Sequence, residues 1–396
     1  MNKWKEHKLG DIISIKHGWA FKSQFHSENS LNNAPILVSI GNFKYTGGFR
    51  FNSTKIKYYT GEYPLDYILK AGDILLIMTC QTEGGEILGI PGIVPNDNKL
   101  YLHNQRLGKV IFKSNFIDKK FLYWFFLSKQ FNQSLFASST GTKILHTAPN
   151  RIENVDILLP PLEEQVAIAN TLSNLDNKLN LLDHQNKIIE KLIQTLFRQW
   201  FIEEVKDEWE EKPLSEIANF LNGLACQKFP PKNDVDKLPV LKIKDLKAGI
   251  SDSSDWATTD IKPEYIIESG DVIFAWSASL IVKIWDGEKC ILNQHLFKVT
   301  SDDYPKWFYY QWCKYHLDRF IAIAQAHATT MGHIKRKDLD NAMCFVPSAD
   351  EIKVMDEQIV PLMQKLENNS KQIKTLENMR DILLPKLMSG VVRVVT

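Results

Sequence analysis

The most regular alternation of apolar and polar positions lies in two stretches. Leu172, Leu175, Leu179, Leu182, Asn186, Ile189, Ile193, Leu196 and Trp200 alternate spacings of three and four residues. Ile359, Leu362, Leu366, Asn369, Ile373, Leu376, Arg380, Leu383 and Leu387 repeat that spacing 187 positions later, in the same phase. An apolar stripe of this period predicts a long helix that packs on a second helix as in a coiled coil. Pro160-Pro161 and Pro347 precede the two stretches, and Glu163-Glu164 and Asp350-Glu351 fall in their first turns, where the helix dipole favours acids. Two seams in one chain most simply pack on each other.

The remaining sequence is two stretches of mixed α/β character. Short apolar runs such as Ile74–Met78 and Val272–Trp276 are bounded by Gly, Pro and Asn, the pattern of strands between turns. These stretches repeat. Trp4, Leu9, Ile12, Gly18 and Ala20 recur as Trp209, Leu214, Ile217, Gly223 and Ala225. Gly72-Asp73 recurs as Gly270-Asp271, and Asn104-Gln105 as Asn293-Gln294. His146, Ile152, Asn154 and Pro160 recur as His333, Leu339, Asn341 and Pro347. An internal repeat of this length divides the chain into four parts: a first domain at 1–160, a helix at 161–205, a second domain at 206–347, and a helix with its tail at 348–396.

The direction of pairing follows from connectivity. A helix of about 40 residues is about 60 Å long. The second domain joins the end of the first helix to the start of the second, and parallel helices would force it to bridge that length. Antiparallel helices bring both attachment points together. The expected architecture is therefore two-headed and mixed α+β (α/β), with two recognition heads separated by a pair of long antiparallel coiled-coil helices. Each seam holds one asparagine, Asn186 and Asn369. If they face each other, Leu182 lies beside Ile373, Leu179 beside Leu376, and Leu175 beside Arg380, whose charged head is expected to snorkel to solvent.

Composition narrows the class. The chain has 396 residues and is 44% hydrophobic, enough for more than one packed domain. There is no run of 18 apolar residues and Met1–Leu9 is polar, so neither a membrane span nor a secretion signal is expected. The five cysteines are scattered without a CxxC pair, as in a cytoplasmic protein with free thiols and no metal site. Net charge is +1, but it is uneven. Residues 1–160 carry 19 Lys/Arg against 12 Asp/Glu, and residues 206–347 carry 18 against 21.

Catalytic motifs are missing. Adenine methylation needs an Asn/Asp-Pro-Pro-aromatic motif at the flipped base, whereas Pro160-Pro161 and Pro230-Pro231 are followed by Leu and Lys. No GxxxxGK[ST] loop is present to cradle a phosphate. Acid-x-Lys triplets such as Asp245-Leu246-Lys247 occur, at the rate that chance allows in a charged chain. No catalytic residue is expected.

Two related but unequal heads at fixed separation suit a polymer with a regular repeat, and DNA repeats about every 34 Å. Candidate contacts in the second head are Thr330, His333, Lys335, Arg336 and Lys337, and their counterparts in the first are Thr142, Lys143 and His146. Arg and Lys suit guanine or phosphate, and Thr suits either. A solvated basic loop entering a helix is the plainer reading. Lys22, with Trp19 and Phe21, follows a glycine and is a further candidate. Asn104-Gln105 and Asn293-Gln294 could read adenine, though their repetition favours a structural turn. The aromatic runs Phe121–Phe126 and Trp307–Trp312 read as core helices.

The segment Leu158–Asp176, beginning Leu-Leu-Pro-Pro-Leu-Glu-Glu-Gln, resembles the central conserved region of Type I restriction–modification specificity subunits. Arg380–Gly390, with Val391–Val395 after it, resembles their C-terminal signature, and the two Gly-Asp turns resemble a recurrent turn of their target recognition domains. The second helix start, Ser348–Lys353, departs from the Pro-Leu-x-x-Gln form of Pro161–Gln165, which puts the equivalence of two docking surfaces in doubt. The resemblance implies a non-catalytic subunit that reads a bipartite site in double-stranded DNA. It also implies partners: two modification subunits carrying S-adenosylmethionine, and restriction subunits that use ATP and Mg2+. The rival classes are a stand-alone methyltransferase or nuclease and a coiled-coil scaffold that binds no DNA.

Overall fold

Both seams fold as single long helices, Leu162–Arg198 and Ala349–Met388. In the computed structural model, which describes residues 4–29, 34–51, 56–82, 84–326 and 332–394, the chain forms two units. One comprises residues 1–179 with 376–396, the other residues 180–375.

In the first unit, two sheets form the head. One has strand order Ile13–His17, Leu107–Phe112, Ile74–Ile77, Pro91–Ile93. The other has order His26–Ser27, Tyr58–Tyr59, Ile36–Val38, Tyr101–His103, Ile68–Leu69, with the Tyr101–His103 and Ile36–Val38 pair parallel. Strand Lys5–Lys8 pairs with Asp156–Leu159, so the start and end of the head meet. Ile74–Ile77 is buried at every position, as a strand covered on both faces must be. Helices Lys119–Phe126 and Lys129–Ser138 close the core with Phe121, Trp124, Phe125, Phe126 and Phe131.

The second unit repeats this plan. Its sheets run Asn219–Asn222, Leu296–Thr300, Val272–Ala275, Ile281–Ile284, and Trp256–Thr258, Lys237–Leu241, Cys290–Leu292, Ile266–Ile267. Glu210–Pro213 pairs with Met343–Val346. Helix Lys306–Tyr315 buries Trp307, Phe308, Tyr309 and Trp312, so the aromatic runs of both heads are core.

The shared turns explain the shared glycines. A Cβ on Gly18 would lie 2.0 Å from the Asn104 carbonyl oxygen, and one on Gly223 would lie 2.2 Å from that of Asn293. No side chain fits either place. The Gly-Asp turns are structural in both heads. Gly72 and Gly270 take positive φ, which favours glycine. Asp73 accepts from the Lys70 backbone and pairs with Lys109 at 2.6 Å, as Asp271 accepts from the Glu268 backbone and pairs with Lys298 at 2.8 Å.

Within each unit the long helices run antiparallel. In the first, Glu164 meets Arg393 and Asp176 meets Arg380, so one helix ascends as the other descends. Ile168, Leu172, Leu387 and Met388 share that head's core. Leu175, Leu179 and Leu376 are buried or half-buried. Arg380 does not snorkel. Its side chain is 13% exposed and is held by Asp381 at 3.0 Å and Asp176 at 3.9 Å, because carboxylates within reach satisfy it in place. In the second unit Asn369 donates to Asn186 at 2.8 Å. Leu182, Ile193 and Ile359 are buried, and Ile189, Leu362, Leu366 and Ile373 are half-buried.

Each unit also ties its head to a helix start. Trp4 donates its indole N–H to Glu164, which Arg393 grips with two hydrogen bonds. Trp209 donates to Glu351, which Lys206 contacts at 2.5 Å. Arg393 stands 187 positions after Lys206, so the tail behind the second helix does what the linker behind the first does. The helix starts differ in one respect. Gln165 is buried and bonded to the Asp118 N–H and to the Pro160 and Phe116 carbonyls. Ile352 takes its place in the second unit, where Ser348 and Glu351 cap each other instead.

Candidate nucleic-acid interface

The candidate residues sit on loops beside one strand of each head. In the first head, Gly141 has φ +110 and a Cβ there would lie 1.9 Å from the Ile144 carbonyl oxygen. That turn leaves Thr142 and Lys143 exposed. Strand Leu145–His146 then pairs with Thr79–Cys80, and His146 Nδ1 lies 3.1 Å from Thr79 Oγ1. Thr79 in turn lines a cleft of about 890 Å3, which Ser39, Lys57, Gln81, Gln105 and Arg106 also border. Lys22 is exposed, between the cleft-lining Phe21 and Ser23. The rings of Trp19 and Phe21 stack edge-on at 5.0 Å, and Phe21, which lines the cleft, packs on Tyr59 at 4.8 Å.

His26 also lines the cleft. Burial, aided by the nearby Lys57 charge, lowers its pKa, so the ring is neutral at pH 7. Deeper in the head, burial takes His103 down to about 4. Its Nε2–H donates to the Leu107 carbonyl at 2.8 Å, so it supports the fold and does not contact a ligand.

In the second head, His333 bridges to Ser277, with its ring 6.2 Å from that of Trp276. Lys335, Arg336 and Lys337 are exposed at the start of a short helix, Arg336–Asp340, whose first turn is held by Asp338 accepting from the Lys335 N–H. Thr330 lies outside the described residues. The sequence reading missed Trp276 beside His333, and His295 beside Trp276. Trp276 donates to Asn222 Oδ1 at 3.1 Å and stacks on Phe297. His295 Nδ1 lies 3.1 Å from Ser277 Oγ, and its ring is 6.0 Å from that of Trp276. Trp276 ends an apolar run and so reads as core. His295 follows the repeated Asn-Gln pair, which was the available signal.

The asparagines of the two Asn-Gln pairs are structural. Asn104 Oδ1 accepts from the Arg106 N–H, and Asn293 Oδ1 faces the His295 N–H. The asparagines are thus spent on the turn. Gln105 is exposed, whereas Gln294 is half-buried with its Nε2 3.4 Å from His295 Nε2.

Among the described residues no group of three His, Cys, Asp or Glu could hold a metal. All five cysteines are buried, and desolvation pushes Cys226 up to about 11 and Cys290 up to about 12, away from a reactive thiolate. What the two heads share is a set of amide, imidazole and cationic groups on turns and loops, suited to hydrogen-bonding.

The profile of the Type I restriction modification DNA specificity domain matches residues 1–191 and again 206–378. The chain belongs to that family. It therefore carries two target recognition domains joined by long helices, and specificity subunits are the non-catalytic members of their enzymes. A Type I restriction enzyme specificity subunit of Methanocaldococcus jannaschii, MjaIX, is 28% identical over 320 residues, covering 74% of this chain and 73% of the relative. The HindI specificity subunit of Haemophilus influenzae is 18% identical over an alignment covering 98% of this chain and all of the relative. The crystal structure of a Type I system S subunit from M. genitalium shares the fold, with a TM-score of 0.60 at 16% identity and 98% of this chain covered. Among the described residues no helix is long and apolar enough to cross a membrane.

Proposed function

We propose that this specificity subunit binds double-stranded DNA and reads a bipartite site, one half with residues 1–160 and the other with residues 206–347. The observation that carries the reading is the repeated domain. Both heads build the same loop-and-turn frame, with a glutamine at the same place, yet the next residue is Arg106 in one and His295 in the other. Equal frames with unequal polar groups suit a site whose halves differ in sequence.

The same reading assigns catalysis to partners. Modification subunits, two of them, bring S-adenosylmethionine, and restriction subunits bring ATP and Mg2+. They dock on the helical segments 161–205 and 348–396. The complex works in the cytoplasm, away from membranes. The test is methylation of DNA by the purified chain with and without its modification subunit, together with a DNA-binding curve against salt. Methylation that requires the partner, and binding that falls steeply with salt, support the reading. Turnover by the chain alone, or no binding to DNA, overturns it.

A further inference from the structure

The turn Asn104–Leu107 and its counterpart Asn293–Leu296 share one hydrogen-bond frame. In the first head Trp19 N–H donates to the His103 carbonyl, Gln105 N–H to that of Trp19, and Leu107 N–H to that of Asn104, at 3.0, 2.9 and 3.0 Å. In the second, Leu224 N–H donates to the Leu292 carbonyl, Gln294 N–H to that of Leu224, and Leu296 N–H to that of Asn293, at 2.9, 2.8 and 2.9 Å. Met78 N–H anchors the Arg106 carbonyl as Trp276 N–H anchors that of His295. The glycine before each turn has no room for a Cβ. The backbone is thus fixed alike in both heads, and what changes is the pair of side chains at the tip.

The side chains of the two tips differ in their surroundings. Gln105 and Arg106 are exposed and line the cleft of the first head. Among the described residues no carboxylate pairs with Arg106, whereas Arg380 and Arg393 are both ion-paired. In the second head His295 is held by Ser277, and Gln294 Nε2 lies 3.4 Å from His295 Nε2. An unpaired guanidinium on a rigid turn is pre-organised for a planar acceptor pair, and guanine presents O6 and N7 in that geometry in the major groove.

Resting on the DNA-binding reading above, we propose that these turn tips determine specificity: Arg106, beside Gln105, reads a guanine in one half-site, and Gln294 with His295 reads a base of the other. The frame sets where the reader stands, and the tip sets which base it accepts.

The test is to map methylated sites in cellular DNA after co-expression of each variant with the modification subunit. Arg106→Ala should relax one guanine position of one half-site, with discrimination there falling about tenfold or more, and leave the other half-site intact. His295→Ala should do the converse. An unchanged motif in both variants overturns the proposal. If Arg106→Ala yields no methylation, Arg106→Gln decides, because glutamine stays polar but pairs with adenine, not guanine. A motif relaxed or changed at the same guanine supports the proposal, and an unchanged motif overturns it. If neither variant methylates, their binding to duplexes differing only at that guanine decides, and wild-type discrimination overturns it. A wild-type complex that yields no bipartite motif overturns the DNA-reading function itself, a distinct result.

Discussion

Asn369 donates its side-chain amide to the side-chain oxygen of Asn186 at 2.8 Å, with Asn369 almost wholly buried in an otherwise apolar seam. A lone polar pair in such a seam costs stability and fixes register, because any slip leaves both amides unpaired. Asn369→Leu, which strands Asn186, is expected to destabilise by about 1 kcal/mol. The double variant Asn186→Leu/Asn369→Leu should melt higher than the single variant while loosening the register. Disulfide trapping between cysteines placed at 182 and 373 measures that register. Equal trapping in the wild-type and double-leucine backgrounds would show that the asparagines do not set it.

That pairing was legible because it depends on spacing alone. One asparagine per seam and a 187-residue repeat leave few registers that keep all the leucines inward. The turn tips were harder to read. The repeat of Asn104-Gln105 pointed to structure, and structure does account for the asparagines, but only hydrogen-bond geometry separates them from the glutamines beside them. Arg106 and His295 are unlike each other, so no repeat marks them. Arg380 was misjudged because a seam pattern shows what faces a side chain across the seam, and misses carboxylates such as Asp176 and Asp381 that approach from its edges.

Glu351 links pH to the helix start of the second unit. The Lys206 ammonium, joined by hydrogen bonds from Ser348 and Trp209, holds its carboxyl at about 2. A carboxylate depressed in the folded state stabilises above its ordinary value near 4.5, and that contribution is lost as pH falls toward 2. Discounted for solvent, it is about 1 kcal/mol. Glu351→Gln should therefore lower the melting temperature at pH 7 and make little difference at pH 2. A deficit equal at both values would assign the effect to packing.

His103 gives a second acid window. Its folded pKa is about 4 against an ordinary 6.5. The unfolded chain gains a proton from pH 6.5 downward that the folded head refuses, so stability is full above 6.5 and declines toward 4 by about 3 kcal/mol. His103→Gln removes the titrating group while offering the Leu107 carbonyl a donor. It should flatten the stability profile between pH 6.5 and 4.5. An unaltered slope would place the acid sensitivity elsewhere.

Lys143 is exposed on a loop of the first head, and Lys335 and Arg336 are exposed at the start of a short helix of the second. Replacing each with alanine should weaken DNA binding and lower the slope of log affinity against log salt by about one unit for every phosphate no longer neutralised. The effect should be similar on specific and unrelated duplexes, because phosphate carries no sequence. Three unchanged binding curves would show that these cations are only solvated.

The division of labour between the two heads is the central claim. Residues 206–347 can be replaced by the equivalent domain of another specificity subunit, keeping both long helices, and the methylated motif mapped with the modification subunit present. The account predicts that one half-site changes to that of the donor while the other half-site is retained. A motif in which both halves change, or neither, would contradict it.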